Sequence, residues 1–121
     1  MGLGLHGGGL ASALFFAKHG AQVTVTDLRS AEILAPSIEK LENLPVRFVL
    51  GRHDIEDFRN ADVVIKNPAV PIDSPYLQSA KQLETDISVF LRIHQGPVAA
   101  ITGTKGKSTT ATVLHHLLKS Y

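Results

Sequence analysis

The residues whose spacing carries the most chemistry lie toward the C-terminal end, in Thr102-Gly-Thr-Lys-Gly-Lys-Ser-Thr109. They sit between the apolar run Val98-Ala-Ala-Ile101 and a stretch with Val113, Leu114, Leu117 and Leu118 at helical spacing. A strand, loop and helix in that order leave unpaired backbone N–H groups at a helix N-terminus, where the helix dipole also favours an anion. Gly103 and Gly106 let the main chain curl around phosphates without a Cβ clash. Lys107 supplies a mobile cation to the terminal phosphates and Ser108 a hydroxyl to magnesium, while Thr109 extends the polar helix start. Gly103, Thr104, Lys105, Gly106, Lys107, Ser108 and Thr109 are therefore the expected ATP contacts, with Lys107 the expected catalytic cation and Ser108 the expected Mg2+ ligand. The general GxxxxGK[ST] pattern is not met, because Ile101 stands five before Gly106. The run is a shorter form, TGTxGKST.

A second glycine turn opens the chain. Gly2-Leu-Gly-Leu-His-Gly7 has the spacing G-x-G-x-x-G, and Asp27 follows at the end of the next apolar run. This is the fingerprint of a turn that admits a diphosphate, with the acid placed to accept from a ribose hydroxyl. It suits any ligand with a diphosphate and a ribose, so NAD, uridine and adenine nucleotides all remain open. Gly8 and Gly9 lengthen the run and weaken the helix start by about 1 kcal/mol each relative to alanine. Their expected use is close approach of backbone to a ligand.

The elements that must hold these turns alternate along the chain. Residues 22–27, 46–50, 63–65 and 98–101 read as short strands buried on two faces. Helical patterns fall near residues 8–19, with Leu10, Leu14 and Ala17 on one face, and near 30–43, 54–59, 74–82 and 86–94. A final helix begins at Lys107. The alternation predicts an α/β fold, a Rossmann-like parallel sheet flanked by helices. Asp73-Ser-Pro75 predicts a capped helix start with proline at the first position, and Asp54, Glu56 and Asp57 an acidic one. Phe15, Phe16, Phe48, Phe58 and Phe90 are expected in the core. His19, His53, His94, His115 and His116 lack the spacing of a metal pair and are read as ordinary side chains.

Composition sets the outer bounds. The 121 residues suit one domain, or a small domain with part of a second. Hydrophobic residues make up 44% and charged residues 19%, the balance of a globular chain. A net charge of +1 without like-charge blocks gives no nucleic-acid footprint. The absence of cysteine removes disulfides and thiolate chemistry. Neither a membrane-length apolar run nor a signal-peptide pattern is present, so the expected location is the cytoplasm, away from membranes.

Taken in order, GLGLHG, Asp27-Leu-Arg29, Asn67-Pro-Ala-Val-Pro71, Asp86-Ile-Ser-Val-Phe90 and AITGTKGKST resemble the Mur ligases over essentially the whole chain. Among them the resemblance is to the branch that adds D-glutamate to UDP-N-acetylmuramoyl-L-alanine. It implies an ATP- and Mg2+-dependent amide-bond-forming ligase of peptidoglycan synthesis, hence of cell wall biogenesis, cell shape and cell division. The implied reaction runs through an acyl phosphate, and the implied parent is monomeric. It also implies that Leu5 and His6 lie near the uracil and that Gly4 and Gly7 admit the ligand. Asp27, Leu28 and Arg29 would border the uridine site, and Asn67, Pro68 and Ala69 would approach the diphosphate. His6 and Leu28 stand where threonine is frequent in that family, and Asn67-Pro-Ala69 replaces Ser-Pro-Gly. Residues 82–85 are shorter than the usual strand-bearing segment, which predicts a reduced fifth strand.

The resulting division is a UDP-substrate-binding domain over residues 1–86 and the start of a central ATPase domain over residues 87–121, comprising its first strand, phosphate loop and helix. Only Met1 precedes Gly2, and only residues 110–121 follow the loop. The sequence is thus expected to be a fragment that lacks a complete first strand and does not turn over by itself. The alternatives are an NAD-dependent oxidoreductase or other dinucleotide-binding module, which leaves TGTKGKST idle, and a non-enzymatic nucleotide sensor. A folylpolyglutamate synthetase relative would carry the loop near its own N-terminus, unlike this chain.

Overall fold

Four consecutive β-branched residues, Val23 to Thr26, place Val23–Asp27 (β1) in a strand that pairs parallel with Val46–Leu50 (β2), Val23 opposite Val46 and Asp27 opposite Leu50. Two parallel neighbours need a crossover between them. It is supplied by the helix Ala31–Ile38 (α2) and a single 3₁₀ turn, Glu39–Leu41. In the computed structural model, which describes residues 1–5 and 7–120, the chain continues through a helix at Ile55–Asn60 (α3) and a second parallel pair. This pair joins Val64–Ile65 (β3) to Leu83–Glu84 (β4). The helix Gly8–Lys18 (α1) precedes β1, the single turn Pro75–Gln78 (α4) precedes β4, and Asp86–Ile93 (α5) and Lys107–Lys119 (α6) complete the chain.

The mixed α/β character and the parallel pairing agree with the sequence, but the single sheet does not form. The described residues hold two separate two-stranded sheets, β1 with β2 and β3 with β4. Between them lie Met1 and Gly2. The Met1 amino group donates to Ile65 O (2.8 Å), Asn67 N–H donates to Met1 O (3.0 Å), and Gly2 N–H donates to Thr26 O (2.8 Å). Residues 1–2 thus form a bridge with parallel-strand geometry toward both sheets.

The apolar core is divided in the same way. One cluster gathers Leu3, Leu10, Ala13, Val25, Leu34 and Leu41; the other gathers Phe58, Val64 and Leu77, with Met1 packed against it. Ala13 takes the central buried place on α1 expected for Leu14, which is half-buried. Of the five phenylalanines only Phe58 is fully buried; Phe15 and Phe90 are exposed, at 40% and 47%. Strand faces are also less buried than expected, with Thr24 and Arg47 exposed.

Several boundaries move. The helix expected over residues 30–43 ends its α-helical part at Ile38, and the one over 74–82 shrinks to four residues. The reduced strand before α5 is present as β4, two residues long. Residues 98–101 form no strand. A strand needs a ladder partner for its backbone groups, and among the described residues the ladders join only β1 to β2 and β3 to β4. Helix starts follow the sequence more closely. Asp54 caps α3 by accepting from Glu56 N–H (3.1 Å), and Thr85 and Ser88 form a reciprocal capping box on α5. Pro75 occupies the first position of α4, although Ser74 makes no side-chain capping bond.

Candidate functional site

The N-terminal turn is built around Gly4. Its N–H donates to Asp27 Oδ2 (3.2 Å), and its carbonyl accepts from Ser37 Oγ (2.9 Å). Asp27 Oδ1 accepts in turn from Arg29 N–H (3.0 Å). Asp27 and Ser37 are both buried, so the loop from Gly2 to Gly7 is held from below by the end of β1 and by α2. Gly2, Gly4 and Gly7 all adopt positive φ (81°, 65° and 117°), a region that L side chains rarely occupy.

Gly9 has a different function from the one the sequence suggested. A Cβ there would lie 2.1 Å from Gly2 O and 2.6 Å from Leu3 O, so its close approach is to the chain's own first residues. The helix-packing glycine of this turn is therefore Gly9, two residues beyond the last glycine of the fingerprint. A Cβ on Gly7 would meet nothing within 4 Å, and one on Gly8 would lie 3.5 Å from Asp86 Oδ2, which brings the start of α5 to the start of α1.

The loop after β3 closes the other side. A Cβ on Gly2 would lie 3.0 Å from Asn67 Cβ, and one on Gly4 would lie 3.9 Å from Asn67 Nδ2. Asn67 Oδ1 accepts from Ala69 N–H (3.1 Å). The Lys66 ammonium donates to the carbonyls of Asn67 (3.2 Å), Pro68 (3.4 Å) and Val70 (2.9 Å), fastening the loop. Of the sequence-predicted residues, then, Gly4, Asp27 and Asn67 come together. Leu5, Gly7, Leu28, Arg29, Pro68 and Ala69 are exposed, and His6 lies outside the described residues. Ser37 and Lys66 were missed. Each gave only the signal of a polar residue within an apolar stretch, and their bonds run to residues distant in sequence or to loop carbonyls.

Asp27 also sits in a small electrostatic group. His53 Nδ1 lies 2.5 Å from Thr26 Oγ1, and its ring packs edge-on against Phe58 and Tyr76. Burial holds the His53 imidazole below its usual pKa, helped by the positive Met1 amine and opposed by Asp27. Burial likewise lowers the Met1 amino group from 8.0 to about 6, again with Asp27 opposing. Buried Glu84 is held below the usual carboxylate range by hydrogen bonds from Ser88 and Gln82, with Arg92 paired to it.

The C-terminal loop is a separate structure. Gly103 and Gly106 have positive φ (148° and 79°), and Gly106 caps α6 with no side-chain bond to its first-turn amides. Lys107 Nζ donates to Gly103 O (2.5 Å), folding the loop on itself. Residues 102–109 are exposed, and α6 buries no residue, so its apolar stripe with Val113, Leu117 and Leu118 faces outward. No cluster of three or more His, Asp or Glu able to hold a metal occurs among the described residues.

Parallel strand pairs, crossover helices and a glycine turn braced by an acid at the end of β1 make this a mixed α/β protein. The family can be stated more narrowly: the chain belongs to the Mur ligase MurD-like, N-terminal domain family, whose model matches residues 1–89. It is 51% identical over 121 residues to a UDP-N-acetylmuramoylalanine--D-glutamate ligase of Borreliella burgdorferi (strain ZS7), covering 98% of this chain and 27% of that relative. Relatives of the same name in Roseiflexus sp. (strain RS-1) and Treponema pallidum (strain Nichols) are 50% and 52% identical over 98% and 99% of this chain. The chain covers 26% and 24% of those two, so it spans about a quarter of the length of the curated relatives it matches.

Proposed function

We propose that this chain is the N-terminal part of an ATP-dependent ligase that joins D-glutamate to UDP-N-acetylmuramoyl-L-alanine in the cytoplasm. The observation that carries the reading is identity of about half over nearly the whole chain to relatives bearing that name. In this reading residues 1–86 bind the UDP end of the substrate and residues 87–121 begin the ATP-binding domain. The positive-φ turn from Gly2 to Gly7 and the loop at Asn67, Pro68 and Ala69 form the mouth for the diphosphate, with Leu5, His6, Leu28 and Arg29 around the uridine. Asp27 acts as a positioning residue, because both of its oxygens accept from backbone N–H groups and it is 7% exposed. Each oxygen keeps a further lone pair, so Asp27 both braces the turn and borders the uridine site.

ATP with Mg2+ supplies a γ-phosphoryl group that activates the substrate carboxylate for attack by the D-glutamate amine. The residues at 103–109 fit it: two positive-φ glycines bend the backbone, and the first-turn amides of α6 have no side-chain cap. Lys107 would exchange the Gly103 carbonyl for phosphate oxygens and neutralise developing charge, the main service a protein gives phosphoryl transfer. Ser108 would offer its hydroxyl to the metal.

Calorimetric titration of the full-length protein with UDP-N-acetylmuramoyl-L-alanine is expected to show saturable binding that UDP competes away. No heat at millimolar ligand would sink the proposal, and saturable NADH binding that UDP cannot displace would favour an oxidoreductase.

A further inference from the structure

Residues 66–70 fold around a single ammonium group. Lys66 Nζ donates to the carbonyl oxygens of Asn67 (3.2 Å), Pro68 (3.4 Å) and Val70 (2.9 Å). Three carbonyl dipoles converging on one point repel each other and hold together only around a positive charge. Lys66 is fixed at its backbone, whose N–H donates to Glu84 O (2.9 Å). It belongs to none of the ion pairs among the described residues, so no carboxylate offsets its charge in the loop.

The same loop orients the Asn67 amide. Val70 N–H donates to Asn67 O (3.0 Å), closing a turn with Pro68 and Ala69 at its centre, and Ala69 N–H donates to Asn67 Oδ1 (3.1 Å). An N–H needs an acceptor, so Oδ1 is the end held within the loop and Nδ2, with its two donors, is the end left over. Nδ2 is the one atom within 4 Å of a Cβ placed on Gly4, at 3.9 Å. The amide cannot slide along the glycine turn, because a Cβ on Gly2 would lie 3.0 Å from Asn67 Cβ and Asn67 N–H donates to Met1 O (3.0 Å). Gly4 offers Nδ2 no partner: its N–H is on Asp27 and its carbonyl accepts from Ser37.

We propose that Lys66 is a positioning residue for the substrate diphosphate, and that the Asn67 side-chain amide is the donor it presents. The inference rests on the ligase reading, in which the diphosphate enters between the glycine turn and this loop. The ammonium gathers three carbonyls whose negative ends would otherwise oppose a phosphate, adds positive charge beside it, and locks the turn that aims Nδ2 at the gap over Gly4. Phosphate oxygens only accept, so a donor without a partner suits them. Lysine fits this task better than arginine: a compact ammonium meets three oxygens at one point, whereas a planar guanidinium spreads its donors along a fork.

Steady-state kinetics of the full-length protein with UDP-N-acetylmuramoyl-L-alanine, D-glutamate and ATP provide the test. Lys66→Ala is expected to raise KM for the UDP substrate by about tenfold or more while kcat changes by less than about twofold. Methylammonium, which has three N–H donors, should restore KM in this variant. Tetramethylammonium at the same concentration has the charge but no N–H and should not. An unchanged KM, no rescue, or equal rescue by the two cations would overturn the assignment of Lys66. If Lys66→Ala does not fold, Lys66→Arg decides: it keeps the charge and loses the three-way convergence, so KM should still rise, and a wild-type KM would overturn the assignment. Asn67→Asp keeps an oxygen for Ala69 N–H and exchanges both donors for a second oxygen. It should raise KM by about tenfold or more, and an unchanged KM would overturn the donor role of Asn67. A wild-type protein that neither binds nor turns over the UDP substrate would sink the ligase reading itself, before any variant is compared.

Discussion

At the scale of single residues, glycines that look alike in the sequence answer to different constraints. Gly9 is limited by space, since any Cβ would overlap the Gly2 and Leu3 carbonyls. Gly20 is limited only by its backbone, with φ of 83° and nothing within 4 Å of a Cβ. Gly9→Ala is therefore expected to cost about 3 kcal/mol or more by forcing α1 off the first residues. Gly20→Ala should cost about 1–2 kcal/mol, the ordinary penalty of a left-handed alanine. Urea unfolding of the two variants measures the difference, and equal losses would mean that the approach of α1 to Gly2 is not tight. For Lys107, the proposed function predicts that Lys107→Ala in the full-length ligase lowers kcat by about 100-fold or more, with little change in affinity for the UDP substrate. Steady-state kinetics paired with substrate titration separates these effects.

At the scale of elements, the glycine turn depends on α2 as much as on β1. Ser37→Ala removes the donor to Gly4 O within the core and should cost about 1–3 kcal/mol, read as a lower Tm. A smaller loss, about 1 kcal/mol, is expected for Thr85→Ala, which opens the capping box of α5. Much at this scale was legible in the sequence. The β-branched run of β1, the capped starts of α3 and α5, and the glycine spacing before α1 are local patterns set by local sterics and hydrogen bonding. Less legible were the buried role of Ser37 and the fastening of residues 67–70 by Lys66. The outward face of α6 and the missing strand at residues 98–101 could not be read locally either, because an amphipathic or apolar pattern states a need for a partner without providing one.

At the scale of the whole molecule, Met1 packs against the cluster of Phe58, Val64 and Leu77, and its amino group is enclosed and depressed from 8.0 to about 6. Between those values the unfolded chain binds a proton that the folded chain does not, so stability rises with pH from about 6 to 8. The span of two pKa units corresponds to at most about 3 kcal/mol. His53, also depressed by burial, adds to the loss as pH falls through the ordinary histidine range. Glu84 has the opposite kind of linkage: its hydrogen bonds favour the ionised form, and their contribution disappears in acid. Acetylating the Met1 amine keeps its donor to Ile65 O but removes the titration. Chemical denaturation across pH 6 to 8 should then show a flatter profile for the acetylated chain, and an unchanged slope would place the titrating group elsewhere.

The sequence by itself determined the local turns and the α/β alternation, and its motif order already pointed to the Mur ligases, because these rest on residue type and short spacing. Tertiary structure decided which glycine meets the backbone, that Asp27 braces Gly4 and Arg29, and that residues 1–2 bridge two sheets. Those outcomes depend on which distant groups come within reach of each other. Spacing along the chain does not encode that distance; the packing of α1, β1 and β3 around Met1 does.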